Sequence, residues 1–105
     1  MSKARTAARK DANHNELVKL WLKLGGSWQD TYQLAGALDG WAGMAGQDQR
    51  VEIKDGSKPP SEQKLTDTEW DVFARWRGRR PVIWKSEEDV FELRDQLMRE
   101  AGKRK

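Results

Sequence analysis

The sequence predicts an α/β sandwich, a single small domain whose mixed sheet is flanked by helices in the order α-β-β-β-α-β-α. Segments with helical apolar spacing stand near both ends of the chain, and short β-favouring runs lie between them. The clearest of these runs, residues 50–56, alternates apolar and polar side chains. A chain of 105 residues is long enough for one hydrophobic core.

The first helix begins at Asp11 or Asn13, since either residue can cap it, and it ends at residues 25–26, which are both glycine. His14 stands close to the helix start and is expected at the surface. Residues 1–10 have no apolar pattern and are predicted to form a flexible basic arm. The buried side of the helix is assigned to Leu17, Val18, Leu20, Trp21, Leu22 and Leu24.

Three strands are predicted after this helix. In the third, Val51 and Ile53 share one face, and Glu52 and Lys54 share the other. The strand boundaries follow from the residue types. The first strand has β-favouring residues, and the bends are rich in glycine. The strands are residues 27–34, 39–44 and 50–56, with a bend at 35–37 and a turn around 46–48.

The second half of the chain begins with a loop at residues 55–61, because a diproline there has no amide donors for a sheet. Thr66 and Glu69 have the spacing of a capping box and start the next helix. A short strand at residues 82–84 precedes the last helix, which Ser86 caps. The inner sides of these helices are assigned to Trp70, Phe73 and Trp76, and to Val90, Phe91, Leu93, Leu97 and Met98.

Domain boundaries follow from this order of elements. The folded domain is predicted to span residues 11–99, between the basic arm and a basic tail at residues 100–105. Most of the six tryptophans are expected in the core. Trp41 is the exception, because it could lie beside the functional site or in a subunit contact.

An acidic residue followed by Glu-x-Lys on a strand is typical of metal-dependent phosphodiesterases. If the second and third strands form a hairpin with an even-numbered loop, Asp39 shares a face with Glu52 and Lys54. A turn centred between residues 46 and 47 would put Asp39 almost opposite Lys54. The two carboxylates and the Ile53 carbonyl would then bind Mg²⁺, and Lys54 would serve the attacking water or the phosphate.

Two alternatives stay open at this point. An odd-numbered loop would place Asp39 on the opposite face from Glu52 and remove the metal site. A lone Glu-x-Lys is also common on exposed strands, where Glu52 and Lys54 would form only a weak charge pair.

Several segments together resemble the VRR-NUC family of virus-type replication-repair nucleases, within the PD-(D/E)xK superfamily, and in particular its stand-alone phage-type members. The likeness covers residues 11–90. Its most specific part is the run from Glu52 to Ser61. The other matching segments are residues 11–18, Asp39 after Gly36, and the Lys-Leu-Thr of residues 64–66.

The resemblance implies a DNA nuclease that uses Mg²⁺ or Mn²⁺, is often a homodimer, and acts on branched DNA such as four-way junctions. It implies a catalytic core of Asp39, Glu52 and Lys54, with Glu16 as an outer metal ligand. Glu16 has an alternative role as the capping partner of Asn13. The chain departs from the family in two places: Leu38 replaces the proline before the aspartate, and Trp70 replaces a glutamine.

Basic residues form clusters that suit a polyanion, although the net charge is only +3. The candidate DNA contacts are Lys58, Lys64, Ser61, Arg77, Arg79 and Arg80. Each has an ordinary alternative. The lysines can serve loop solubility, Ser61 can cap a turn, and the arginines and the charged termini can simply be solvated.

Composition excludes several other classes of protein. With no cysteine, the chain has no disulfide framework and no thiolate chemistry, and its single histidine excludes a multi-histidine zinc site within one chain. No bilayer-spanning apolar run and no signal-peptide pattern occur. The expectation is a soluble cytoplasmic protein, in the host cell if phage-encoded, with no membrane partner.

Three functions remain in competition. The first is a nuclease that cuts structured DNA, working as a dimer with two symmetric sites. The second is a DNA-binding module that keeps the nuclease fold but cuts weakly or not at all. The third is an interaction protein whose tryptophans and basic tails bind a protein partner.

Overall fold

The computed structural model describes residues 11–103 and has the predicted α/β architecture. A mixed four-stranded sheet lies among three helices, and the order of elements agrees with the prediction apart from an added 3₁₀ turn. The elements are α1 (His14–Lys23), β1 (Ser27–Asp30), β2 (Gly40–Met44), β3 (Gln47–Ile53), a 3₁₀ turn (Pro60–Glu62), α2 (Asp67–Arg75), β4 (Val82–Trp84) and α3 (Glu87–Lys103).

The sheet has the order β1-β2-β3-β4, in which β1, β2 and β3 are antiparallel neighbours. β4 pairs with β3 in parallel, and the connection between them contains α2. This arrangement places the end of β3 in the interior of the sheet, between β2 and β4. Side chains at the end of β3 are therefore well positioned for a buried site.

The core lies between the sheet and the pair of helices α1 and α3, which also contact each other. Val51 and Ile53 point into this core, so the alternating Glu52 points to the opposite side of the sheet. α2 lies on that opposite side and has no fully buried residue. The core residues are Leu17, Trp21, Ala42, Val51, Ile53, Trp84, Val90, Leu93 and Leu97.

The β2–β3 turn is centred one residue earlier than predicted. Ala45 and Gly46 both have positive φ, 55° and 76°, which is the backbone of a two-residue hairpin turn that matches the strand twist. The loop is even-numbered, as the metal-site prediction required. The shift in register gives Asp39 a different partner, however: Gly40 pairs with Val51, so Asp39 stands opposite Glu52 and not opposite Lys54.

Two strand boundaries also differ from the prediction. β1 ends at Asp30, not at Leu34, because Thr31 starts a loop that its own hydrogen bonds close. The Thr31 amide donates to the Asp39 carbonyl at 2.8 Å, and its hydroxyl donates to the Leu38 carbonyl at 2.7 Å. β2 begins at Gly40, so the aspartate precedes the strand.

Five side chains assigned to inner helix faces are exposed instead, and one of them, Leu22, lies on α1. On α3 the buried stripe is Val90, Leu93 and Leu97, and the two exposed residues stand one position beyond it. On α2 the capping box of Thr66 and Glu69 forms as predicted, but no residue of the helix is buried. The exposed residues are Leu22 (49%), Trp70 (62%), Trp76 (42%), Phe91 (38%) and Met98 (53%).

The last helix extends further than the predicted domain. It continues to Lys103, so residues 100–103, which were assigned to the basic tail, are helical. Glu100 forms an ion pair with Arg79 at 2.5 Å, and this contact helps to hold the end of the helix on the domain. The predicted arm, residues 1–10, and residues 104–105 lie outside the described residues. No helix within residues 11–103 is long and apolar enough to cross a bilayer.

Candidate active site at the end of strand β3

Two carboxylates form the centre of the candidate site. Asp39 and Glu52 stand opposite each other in the β2–β3 register and are only 9% and 5% exposed. Burial raises the pKa of Asp39, against the effect of the Ile53 amide hydrogen bond, which lowers it. Burial, then the charge of Asp39, raises the pKa of Glu52 to about 10. The pair therefore retains a proton at neutral pH unless a cation replaces it.

Asp39 is held by the backbone of β3. The Ile53 amide donates a hydrogen bond to Oδ2 of Asp39 at 2.7 Å. In an extended strand the amide and the carbonyl of one residue point to the same side, so the Ile53 carbonyl is also directed toward the β2 side. The opposite side of the strand is occupied by β4, where the Lys54 amide donates to the Trp84 carbonyl at 3.0 Å.

Lys54 follows β3 directly and is 8% exposed. Its ammonium nitrogen lies 2.9 Å from Oε1 of Glu69 and 3.6 Å from Oε2 of Glu52. Burial acts to lower the pKa of Lys54, but the hydrogen bond and charge of Glu69, together with the charge of Glu52, act to raise it, and the net shift is upward. Its carbonyl oxygen accepts a hydrogen bond from Asn13 at 3.2 Å, which ties the start of α1 to this point. Lys54 is therefore a positioned cation beside the carboxylate pair.

Glu69 belongs to the same cluster, although the sequence assigned it only a capping role. Its side chain closes the capping box of α2 by accepting from the Thr66 amide at 2.9 Å, and it also pairs with Lys54. Burial acts to raise the pKa of Glu69, but hydrogen bonds from Glu52, Lys54 and Thr66 together lower it. The capping box fixed Glu69 in the first turn of α2, yet no local pattern gives its distance from Lys54, since that distance depends on how α2 packs.

The donor atoms at the end of β3 fit a divalent cation of the Mg²⁺ or Mn²⁺ class. Asp39 and Glu52 supply two carboxyl groups that are close enough to share a hydrogen bond, and the Ile53 carbonyl is directed to the same side. Mg²⁺ is typically held by one or two carboxylates, with water or phosphate oxygens in the other positions. Among residues 11–103, no three histidine or acidic side chains converge at ligand distance. The protein would therefore provide only part of the coordination.

Glu16 does not form a metal-binding group with Asp39 and Glu52. It is exposed on α1 and lines an open cleft of about 650 Å³, together with Asn13, Asp55, Ser57 and Glu87. The alternative role, capping with Asn13, is also not observed, because the Asn13 side chain makes no cap hydrogen bond. It donates instead to the carbonyls of Lys54 and Lys85. The structure thus does not bring Glu16 to the predicted metal position.

His14 was expected at the surface, but it is 1% exposed and lies beside Asp39. Its burial follows from its position in α1, because His14, Leu17 and Trp21 are spaced i, i+3 and i+7 and are the three buried residues of the helix. That spacing is visible in the sequence and could have identified His14. Its Nδ1 atom lies 3.9 Å from Oδ1 of Asp39.

The diproline loop presents Lys58, Ser61 and Lys64 to solvent, in agreement with a role in phosphate contact or in simple solubility. The loop is closed by internal hydrogen bonds. Gln63 donates to the Lys58 carbonyl at 2.5 Å, and both the amide and the hydroxyl of Ser57 donate to the Asp55 carboxylate. Ser61 lies within the 3₁₀ turn, whose N-terminal cap is Pro59 and which has no side-chain cap hydrogen bond, so Ser61 does not cap this turn.

The arginines after α2 divide into two kinds. Arg77 and Arg80 are exposed. The guanidinium of Arg79 is instead bound within the chain, to Glu100 at 2.5 Å and to the side-chain oxygen of Gln47 at 2.8 Å. Arg79 is therefore occupied in holding α3 to β3.

Trp41 lies on the sheet beside the end of α2. Its ring meets that of Trp76 at a centroid distance of 6.4 Å, and the Arg50 guanidinium lies 4.4 Å from the Trp76 ring and 5.3 Å from the Trp41 ring. These cation–π contacts attach the end of α2 to the outer side of the sheet. Lys54 and Glu69 attach its beginning, so both ends of α2 are fixed relative to β3.

Comparisons with models of protein families, with characterised proteins and with solved structures find no match to this chain. The resemblance to the VRR-NUC family therefore stays a prediction from the sequence motifs. The fold shown is that of a small α/β domain with a mixed four-stranded sheet.

Proposed function

We propose that this protein is a metal-dependent deoxyribonuclease that hydrolyses phosphodiester bonds, acting as an endonuclease on structured or branched DNA. One observation carries the proposal: Asp39 and Glu52 form a buried carboxylate pair, and the Lys54 ammonium lies 3.6 Å from Glu52. When both acids are ionised they repel each other and destabilise the fold, and a bound cation makes the ionised pair favourable.

A divalent cation bound there supplies a Lewis acid that polarises the phosphate and favours ionisation of water. Asp39 and Glu52 would act as its oxygen ligands, together with the Ile53 carbonyl. Lys54 positions the attacking water or donates a hydrogen bond to the developing negative charge on the phosphate. Glu69 orients the Lys54 ammonium, because its carboxylate lies 2.9 Å away.

DNA binding is assigned to exposed basic side chains around this site. Arg77 and Arg80 follow α2, and Lys58 and Lys64 flank the diproline loop after β3, with Ser61 between them. Contacts from such residues would go to the phosphate backbone, which fits recognition of DNA shape rather than of base sequence. A homodimer would present two sites to the two strands of a branched substrate. With DNA as the proposed substrate, we also propose a cytoplasmic location, in the host cell if the protein is phage-encoded.

A DNA-binding module with weak or no cleavage is the second candidate. It is favoured by Trp70, which replaces the glutamine of the resembled family and is 62% exposed. It is also favoured by the ion pair of Lys54 with Glu69, since a lysine held in this way must be released or shared before it can serve a phosphate.

The test is cleavage of labelled four-way junction, flap, duplex and single-stranded DNA with Mg²⁺, Mn²⁺ or a chelator. The variants are Glu52→Gln and Lys54→Ala, and Glu92→Gln is the matched control, because it makes the same chemical change on the exposed side of α3. We expect metal-dependent cutting that falls by at least about 100-fold in both site variants and is unchanged in the control. Binding of DNA without cutting under either metal would contradict the nuclease and support the binding module.

A further inference from the structure

The imidazole of His14 is fixed in a defined orientation. Its Nε2 atom lies 3.1 Å from Oδ1 of Asp30, and because a carboxylate can only accept a hydrogen bond, the proton lies on Nε2. Asp30 is held in turn by the Trp28 indole, which donates to the same oxygen at 2.6 Å. The rings of Trp28 and Tyr32 meet the imidazole edge-on, with centroids 6.0 and 5.8 Å away. The ring therefore cannot turn without breaking several contacts.

The second nitrogen of this ring has no hydrogen-bond partner among the described residues, and it is buried. In the neutral imidazole this Nδ1 atom carries a lone pair. It lies 3.9 Å from Oδ1 of Asp39, whose other oxygen already accepts from the Ile53 amide. With the ring neutral and Asp39 ionised, two acceptor atoms thus lie 3.9 Å apart in a place with little access to water. Such an arrangement is unfavourable unless a proton or a cation lies between them.

We propose that His14 Nδ1 is a nitrogen ligand to a divalent transition-metal ion that it shares with Asp39. Metal–nitrogen and metal–oxygen bonds are each about 2.1 Å, so two ligands of one ion stand at most about 4.2 Å apart, and the 3.9 Å separation lies within this limit. The Asp30–His14 hydrogen bond also fits a metal-binding role for His14. Metal-binding histidines commonly donate their other ring N–H to a carboxylate, which fixes the ring and the tautomer.

This role of His14 rests on the proposed function, because it takes the cation to be bound at Asp39. It goes further than that function by naming the class of cation. Imidazole is a good ligand for transition metals, whereas Mg²⁺ is bound mainly by oxygen. A histidine at this position therefore favours Mn²⁺ over Mg²⁺. It also replaces the role that the family resemblance gave to Glu16, because α1 brings His14, and not Glu16, to Asp39.

The direct test uses the fact that the chain has a single histidine, so its ring nitrogens give one unambiguous pair of nitrogen-15 NMR signals. The wild-type protein, labelled with nitrogen-15, is titrated with Zn²⁺ as a diamagnetic probe. We expect the Nδ1 signal to move from the position of a lone-pair nitrogen to that of a metal-bound one, while Nε2 stays protonated. A Zn²⁺-saturated protein whose Nδ1 signal does not move would overturn the proposal.

A second measurement compares His14→Gln, Glu16→Gln and the control Glu92→Gln by calorimetry with Mn²⁺ and with Mg²⁺. We expect His14→Gln to weaken Mn²⁺ binding by at least about tenfold and Mg²⁺ binding much less. Loss of Mn²⁺ affinity in Glu16→Gln but not in His14→Gln would contradict the inference. If the wild type binds Mn²⁺ through His14 but cuts no DNA, the proposed nuclease fails while the metal ligand stands. If it cuts DNA but the Nδ1 signal of His14 does not move and His14→Gln binds Mn²⁺ normally, only this inference fails.

Discussion

The Lys54 ammonium lies 2.9 Å from Oε1 of Glu69, and this contact joins the end of β3 to the first turn of α2. Both side chains are mostly buried, at 10% and 20% exposed. The same carboxylate closes the capping box with Thr66. One side chain thus both starts a helix and positions the lysine of the candidate site.

Replacement of Glu69 by glutamine separates these two roles, because glutamine also serves at this capping-box position. We expect Glu69→Gln to lower the free energy of unfolding by about 1.5–3 kcal/mol, the range for a hydrogen bond to a charged group. We also expect weaker cleavage, since Lys54 loses its anchor. Urea unfolding and the cleavage assay measure the two effects. Thr66→Ala is the matched control: it removes the cap at a cost of about 1 kcal/mol and leaves the Lys54–Glu69 pair intact. Equal cleavage by the two variants would contradict a positioning role for Glu69.

The raised pKa of Glu52 predicts a pH dependence of stability in the absence of metal. Burial, then the charge of Asp39, raises this pKa from 4.5 to about 10. Between these values the folded protein holds a proton that the unfolded chain has released, so the free energy of unfolding falls as pH rises. The stabilisation is complete below pH 4.5 and is lost toward pH 10, by at most about 1.4 kcal/mol per pH unit.

Urea unfolding between pH 5 and pH 9 in the presence of a chelator measures this slope. We expect Glu52→Gln to flatten it and to be more stable than the wild type at pH 8, whereas the exposed control Glu92→Gln keeps the slope. Saturating Mn²⁺ should oppose the trend, because the cation binds the deprotonated carboxylates. A wild-type profile that stays flat without metal would show that Glu52 ionises normally.

Much of this fold could be predicted from the sequence, because local signals determine it. Alternation placed Val51 and Ile53 in the core and Glu52 opposite, and the Thr66–Glu69 spacing gave the capping box. The β2–β3 turn was expected one residue too late, which shifts the strand pairing by two residues, because Ala45 adopts a positive φ that alanine rarely adopts. That single step changed the partner of Asp39.

The parts of the site that were missed depend on tertiary packing. Glu69 reaches Lys54 only because α2 lies against the outer side of the sheet, and nothing local indicates that placement. Trp76 was expected to be buried under α2, but it lies over Arg50 and stays partly exposed. His14 is different, since its spacing from Leu17 and Trp21 did indicate an inward position.

Gly40, next to Asp39, is predicted to tolerate no side chain. A Cβ there would lie 2.3 Å from the Trp28 ring and 2.6 Å from the Gln29 carbonyl oxygen, and a backbone atom cannot move aside as a side chain can. We expect Gly40→Ala to cost about 3 kcal/mol or more, at or above the upper end of overpacking effects. Thermal unfolding measures this cost. Gly43→Ala is the control on the same strand, because its nearest contact is the Asp48 side chain at 3.3 Å. Similar stability of the two variants would refute the argument.

The arginines after α2 are predicted to differ in their effect on DNA binding. Arg77 and Arg80 are exposed, whereas Arg79 is bound to Glu100 and Gln47. If an arginine contacts a phosphate, its removal lowers the slope of log affinity against log salt by about one. We expect this change in Arg77→Ala and in Arg80→Ala, with little loss of stability.

Arg79→Ala should behave in the opposite way. Its side chain is 31% exposed and that of Glu100 is 33%, so the partly screened pair contributes about 1 kcal/mol to the free energy of unfolding. The salt slope of DNA binding should stay at the wild-type value, because the guanidinium is already occupied within the chain. Fluorescence anisotropy with a four-way junction at several salt concentrations, beside urea unfolding, separates the two quantities. A reduced salt slope in Arg79→Ala would mean that Arg79 leaves Glu100 for a phosphate when DNA binds.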